Sequence, residues 1–195
     1  GTPAGNPATQ NNRSVTYNYV ENTWSTMSLS RSSYADASTY DVPYATEYTS
    51  TNTPTIPNLS GATNTFGSSL YFAHEVGINE VALNGSITAI PAYIQSGDFD
   101  LPTDGDGEFM LRLSRFLPDF KNLQGNAIVT IFLKNFPVDS GTSSQLGPFT
   151  ISSTTEKIDT RARGRLANIK IQNTAVNETW RFGTFRADVN PDGRR

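Results

Sequence analysis

The sequence predicts an all-β protein, an antiparallel sandwich or barrel-like domain, and three observations carry that prediction. Apolar residues recur with a period of two along most of the chain, and no segment shows an apolar 3.6-residue repeat. Thr, Ser, Asn and Gly are abundant, with eight Tyr and eleven Phe among 195 residues. Such β-branched and aromatic side chains suit a pleated surface better than a helix. Strand signals separated by Gly, Pro and Asn clusters recur about every ten to fifteen residues, as in a sandwich or barrel.

Residues 1–12 (GTPAGNPATQNN) are polar and Pro/Gly-punctuated and read as an extended arm or linker. The opening lacks Met, as a processed product or a piece of a longer protein would. In SVTYNYVENTWSTMSLSR (14–31), Val15, Tyr17 and Tyr19 alternate with polar residues. VENTW then supplies a turn, with Asn22 the natural positive-φ residue, and MSLSR alternates again. Residues 32–63 are rich in Ser, Thr, Asn and Pro, with TNTPTIPNLSG (51–61) a clear loop. SSLYFAHEVGIN (68–79) is a strand followed by a turn. SITAIPAYIQSGDFDL (86–101) alternates, with Pro91 marking an edge or a bend. DGDGE (104–108) is a turn. EFMLRLSRFL (108–117) and NAIVTIFLKNF (126–136) read as buried antiparallel partners, joined by PDFKNLQG (118–125). Residues 146–174 form another long β run, and TWRFGTFRADVNPDGRR (179–195) closes the chain. The expected organisation is an arm (1–12), a strand-and-loop segment (13–67) and an antiparallel β domain (68–195).

There is no Cys, so neither a disulfide nor a thiolate contributes. No apolar run approaches the roughly 18 residues that span a bilayer as a helix, and no secretory signal is visible. The net charge of −3 is unevenly spread. Residues 1–100 carry −6, whereas residues 157–195 carry +5. Such asymmetry marks a nucleic-acid or subunit contact, or simply a sheet with arginines on its solvated face.

Few residues suggest chemistry. His74, the only histidine, sits beside Glu75. A zinc site needs converging ligands, and a serine triad would need the nucleophile motif G-x-S-x-G, which is absent. A local hydrogen bond at a strand end is the expectation for His74. Asp98, Asp100, Asp104, Asp106 and Glu108 form an oxygen-rich cluster, but Pro102 and Gly107 break the spacing of a calcium loop, and Asp-Gly pairs are ordinary hairpin chemistry. N-x-S/T sequons such as those at Asn58, Asn84 and Asn177 carry no weight without a secretory context. No phosphate loop and no dinucleotide fingerprint occur. Nothing in the sequence argues for an enzyme, and no cofactor or metal is expected.

The basic stretch RARGRLANIKI lacks the interleaved aromatics of a single-strand binder. Arg161, Arg163 and Arg165 alternate, so on a strand all three project from one face. Three guanidiniums there suit phosphates or carboxylates, and the acidic first half points to pairing with acids within or between subunits. Trp180, Phe182 and Thr184 share the opposite parity to Arg181, which places Trp180 on the core as the anchor of the last hairpin, with Arg181 outward.

The ordered set FAHEVGIN, YIQSGDFDL, LSRFLPDF, GPFTISSTTEKIDTRARGRLANIKIQNT and ETWRFGTFRADVNPDGRR resembles the C-terminal part of a family of tailed-bacteriophage structural proteins. These are the propeller-bearing tail tube or nozzle proteins of podovirus-type tails. That family's pattern runs HE-x-G, S/T-G-x-F near Asp residues, PDF, GP, T-x-K-x-D-x-R-x-RGR, W-R-x-G and a PDGRR terminus. All stand here in order from about residue 71 to 195. The upstream VTYNYVENTWSTMSLSR resembles a β-propeller blade of the same family. The resemblance covers most of the chain, and its specificity lies in the shared order. Leu166 stands where the family usually has Gln, and the family protein is several times longer, so the usual propeller architecture does not carry over directly.

The resemblance implies a non-enzymatic virion component of a phage tail, built into a homo-oligomeric ring through which DNA passes. Its partners would be copies of itself and adjacent tail proteins, with DNA only in transit and no membrane-spanning segment. Arg161, Arg163, Arg165, Trp180 and Arg181 would be subunit contacts or structural anchors. A host-surface glycan-binding β-sandwich is the alternative, favoured by exposed Trp and Tyr in a groove and opposed by burial of Trp24 and Trp180. A glycan depolymerase is a third reading and would need paired carboxylates in a cleft.

Overall fold

The structure is a computed structural model and describes residues 13–49, 68–82, 84–101, 109–136 and 144–194. The expected arm at 1–12, the loop TNTPTIPNLSG (51–61) and the DGDGE turn (104–108) lie outside the described residues. The described residues are all-β, in antiparallel sheets, with no helix and no closed barrel among them. The chain divides into two compact units, Gly1–Gly77 and Ile78–Arg195.

In the first unit, β1 (Ser14–Asn18) and β2 (Thr23–Met27) form a hairpin with Tyr17 opposite Trp24. Its turn is built as the sequence requires. The Asn18 side-chain oxygen accepts from the Val20 and Glu21 backbone amides at 3.0 and 3.2 Å, and Asn22 takes the left-handed conformation, φ 54°. Closing the turn at Asn22 starts the second strand at Thr23, ahead of the expected MSLSR. Next come β3 (Ser33–Ala35), β4 (Tyr44–Thr49) and β5 (Ser68–Ala73), in the order β3-β4-β5. Strands β3 and β4 lie within the Ser-, Thr-, Asn- and Pro-rich segment 32–63, in which no strand is expected from the sequence. The alternation of Tyr44 and Thr46 is obscured in the sequence by the Ser, Thr and Pro around it. β5, expected as part of the C-terminal domain, pairs with β4 from Tyr44↔Ala73 to Thr49↔Ser68. Ala45 is the only buried hydrophobic side chain in the core of this unit's described residues.

The second unit is built on two sheets. β6 (Asn79–Val81) and β7 (Ile87–Ala89) form a small hairpin. Pro91 then separates β7 from β8 (Ala92–Gln95), as expected of a residue without a backbone donor. The remaining strands are β9 (Phe109–Leu117), β10 (Phe120–Gln124), β11 (Ala127–Lys134), β12 (Ser144–Ile151), β13 (Ile158–Gly164), β14 (Leu166–Asn173), β15 (Thr179–Phe182) and β16 (Arg186–Arg194). One sheet has the order β12-β11-β14-β8, the other β13-β9-β16, and β10 pairs with β15. Leu111, Leu113, Phe116 and Ala162 from one sheet and Val129, Ile131, Leu133, Ile169 and Ile171 from the other form one buried cluster. The two sheets thus bury one common core. Each such Leu, Ile or Phe contributes about 1.5–3 kcal/mol on burial.

β9 and β11, expected as partners, are in different sheets. β9 pairs with β13 and β16, and β11 with β12 and β14. Both strands are buried on an inward face, and periodicity reports burial without naming the neighbour. The long run 146–174 breaks twice, and its second break is the residue pair Gly164-Arg165, where the chain passes from one sheet to the other. A Cβ on Gly164 would stand 3.2 Å from Leu133 Cβ and 3.3 Å from two backbone oxygens. Glycine at this position leaves β13 room to lie this close to β11 before turning.

Candidate interaction face

The solvent-facing side of the β13-β9-β16 sheet carries charged residues in rows across its strands. Residues directly opposite across antiparallel strands point to the same side, so the register reads as rows. One row is Asp159–Arg115–Asp188. Arg115 Nε donates to Asp159 Oδ1 at 2.9 Å, and its Nη1 lies 3.7 Å from Asp188 Oδ2. Lys157 adds a second cation 3.5 Å from Asp159. The Arg115 hydrogen bond holds the Asp159 carboxyl below the usual carboxylate range, and the same bond holds the Arg115 guanidinium above its ordinary value.

The next row is Arg163–Arg112–Asn190. Arg163 Nε donates to Asp192 Oδ2 at 2.6 Å and its Nη2 to the Asp192 carbonyl at 3.0 Å. Arg112 is exposed and, among the described residues, has no ion pair. Arg161 lies between the rows, where β13 has a register shift between Asp159 and Ala162. It too is exposed without an ion pair among the described residues.

Arg161 and Arg163 therefore share a strand and a face, as their spacing predicts. Arg165 does not. It stands past the end of β13 at the sheet-to-sheet corner, half-buried, with its backbone N–H on the Lys134 carbonyl and its guanidinium 5.8 Å from the Phe136 ring centre. Arg163, Arg165, Met110, Asn135 and Phe136 line a cleft of about 310 Å³ at this corner. Trp180 is half-buried. Its Nε1 donates to Asn173 Oδ1 at 3.2 Å, and its ring meets Phe120 edge-on at 6.1 Å. Arg181 points outward, opposite Lys121.

Sequence reasoning misses Arg112, Arg115 and Asp192. Arg112 becomes notable only once β9 is known to lie between β13 and β16, and no spacing within FMLRLSRFL signals that. Asp98, from the acidic cluster, lies 2.7 Å from Lys134 Nζ and accepts from Asn168 at 3.3 Å. Among the described residues no three His, Asp or Glu side chains converge as metal ligands.

In the first unit, His74 Nε2 accepts from Arg31 Nε at 3.0 Å, and Arg31 Nη1 lies 3.2 Å from Glu47 Oε2. The Arg31 guanidinium covers the Phe72 ring at 4.0 Å. With Nε2 so occupied, His74 is a structural acceptor in this arrangement. The same unit exposes aromatic groups. Trp24 is 70% exposed and lies 4.5 Å from the Tyr17 ring. Tyr44 stacks on Tyr71 at 4.9 Å with Tyr40 edge-on to Tyr44 at 5.2 Å. No helix among the described residues is long and apolar enough to cross a membrane.

Comparison with protein-family models and with curated proteins gives no match.

Proposed function

We propose that this chain is a structural, non-enzymatic component of a tailed-phage virion, part of a ring-like tail tube or nozzle through which DNA passes. The observation that carries the proposal is the surface of the first unit. Its described strands bury one hydrophobic side chain, Ala45, while Val15, Tyr17, Tyr19, Val20, Trp24, Met27, Tyr34, Tyr40 and Tyr71 are exposed. A hairpin and a three-stranded sheet with so little core of their own are marginal in isolation. Large exposed apolar surfaces mark contact with another chain. The ordered resemblance to phage tail proteins supplies that partner, other copies in a ring and adjacent tail proteins, and the blade-like reading of residues 13–67 belongs to the same proposal. Ring contacts join two different faces of neighbouring subunits. Negative-stain microscopy of the concentrated chain tests this: closed rings with a central opening support it, and uniform single particles of one chain refute it.

A host-glycan module is the second reading, because the exposed Trp24–Tyr17 pair and the Tyr40–Tyr44–Tyr71 group offer aromatic faces to a sugar ring. Quenching of Trp24 fluorescence by one oligosaccharide at micromolar concentration, without assembly, would favour it over the tail component.

A further inference from the structure

We infer that the solvent face of the β13-β9-β16 sheet around Arg112 and Arg161 docks the acidic first unit of a second copy of this chain. The inference rests on the proposal above that copies assemble, and it names the surfaces that meet. Arg112 stands directly opposite Arg163 on the neighbouring strand. Like charges so placed repel. The adjacent row shows how this sheet otherwise neutralises a guanidinium, by flanking Arg115 with Asp159 and Asp188. Arg163 has Asp192. Arg112 faces Asn190 on its other side, and neither it nor Arg161 has an ion pair among the described residues. Among the described residues, the face therefore presents two uncompensated guanidiniums to solvent.

Residues 1–77 hold five acidic residues against two basic ones, a net charge of −3. Arg31 and Glu47 neutralise each other. Glu21, Asp36 and Asp41 are exposed and carry no ion pair among the described residues. The two surfaces are thus complementary in charge, the arrangement that fixes register and raises association rates in protein contacts. A nucleic acid fits this face less well. Its evenly spaced phosphates would meet Asp159, Asp188 and Asp192 beside the arginines, whereas a protein surface with discrete charges can match an alternating pattern.

The test is sedimentation of three forms at low and high salt: wild type, Arg112→Glu with Arg161→Glu, and Asp36→Lys with Asp41→Lys. Both pairs are exposed, so each variant is expected to keep the wild-type melting temperature. Each variant alone should self-associate at least about tenfold more weakly than wild type at low salt. Mixing the two variants should restore association, because the lysines introduced in one meet the glutamates introduced in the other across the contact. Assembly of the arginine variant at wild-type strength overturns this inference while leaving the ring proposal intact. A wild type that stays monomeric at every concentration overturns both. Assembly unchanged but duplex DNA binding lost in the arginine variant assigns the face to nucleic acid and also overturns the inference.

Discussion

Arg31 donates from Nε to Nε2 of His74 across 3.0 Å, which requires His74 to be a neutral imidazole with Nε2 unprotonated. Burial first, and the Arg31 charge second, hold the His74 pKa below its ordinary value, while Glu75 partly offsets them. The Tyr34 ring also faces the imidazole, 6.0 Å away, and Glu47 is bound to Arg31 rather than to His74. The unfolded chain takes up this proton at about pH 6.5 and the folded chain resists it. The contribution to stability is therefore full above about pH 7 and declines as pH falls through that value, since the unfolded state then binds more protons. Denaturant unfolding followed by Trp24 fluorescence should show the first unit weaker at about pH 5.5 than at about pH 7.5. His74→Gln, which keeps an acceptor, should flatten that difference.

Asp98 and Lys134 form the second testable contact. The Lys134 hydrogen bond, and then that of Asn168, hold the Asp98 carboxyl below the usual carboxylate range. Its contribution is present at neutral pH and is lost as pH falls through the folded-state value. Asp98→Ala should cost about 1 kcal/mol at neutral pH, the scale of a partly exposed ion pair. Chemical denaturation at about pH 7 and at about pH 3 measures this, and the mutational cost should shrink at the lower value.

Trp180→Ala removes an indole that is half-buried, not fully buried. Full burial of a Trp costs roughly 3–5 kcal/mol on truncation, so the expected loss here is about 2–3 kcal/mol. Trp180→Phe keeps the edge-on contact with Phe120 but drops the hydrogen bond to Asn173. It should cost less, about 1 kcal/mol. Thermal unfolding of the three forms gives the order wild type, Phe, Ala.

Phe116 is fully buried and its ring lies 5.2 Å from that of Phe185. Phe116→Ala should cost roughly 3–5 kcal/mol. The loss belongs to the second unit, so Trp24 fluorescence in the first unit should report a smaller change than Trp180 fluorescence in the second.

The all-β class is readable because period-two alternation and turn residues act locally. Asn22 announces its left-handed turn, and Pro91 its break. The partners of β9 and β11 are not readable, because an inward face of Leu, Ile and Val is satisfied by any apolar sheet across the core. Strand β3 is hidden for the opposite reason: its three residues all face solvent, so no apolar alternation marks it. At the candidate face, the alternation in RARGR places three arginines on one strand face, and Arg161 and Arg163 lie on β13. The turn after Gly164 removes Arg165 from that strand, and a Cβ at Gly164 would crowd Leu133, a long-range contact that spacing cannot show. Arg112 becomes part of the face only through its register with Arg163.

The central claim is that copies of this chain form a closed ring, and native mass spectrometry of the full chain at increasing concentration tests it most directly. A single species at one integral multiple of the chain mass, greater than two and unchanged on further concentration, is the expected result. A chain that remains one copy throughout, or that grows without a fixed stoichiometry, would contradict it.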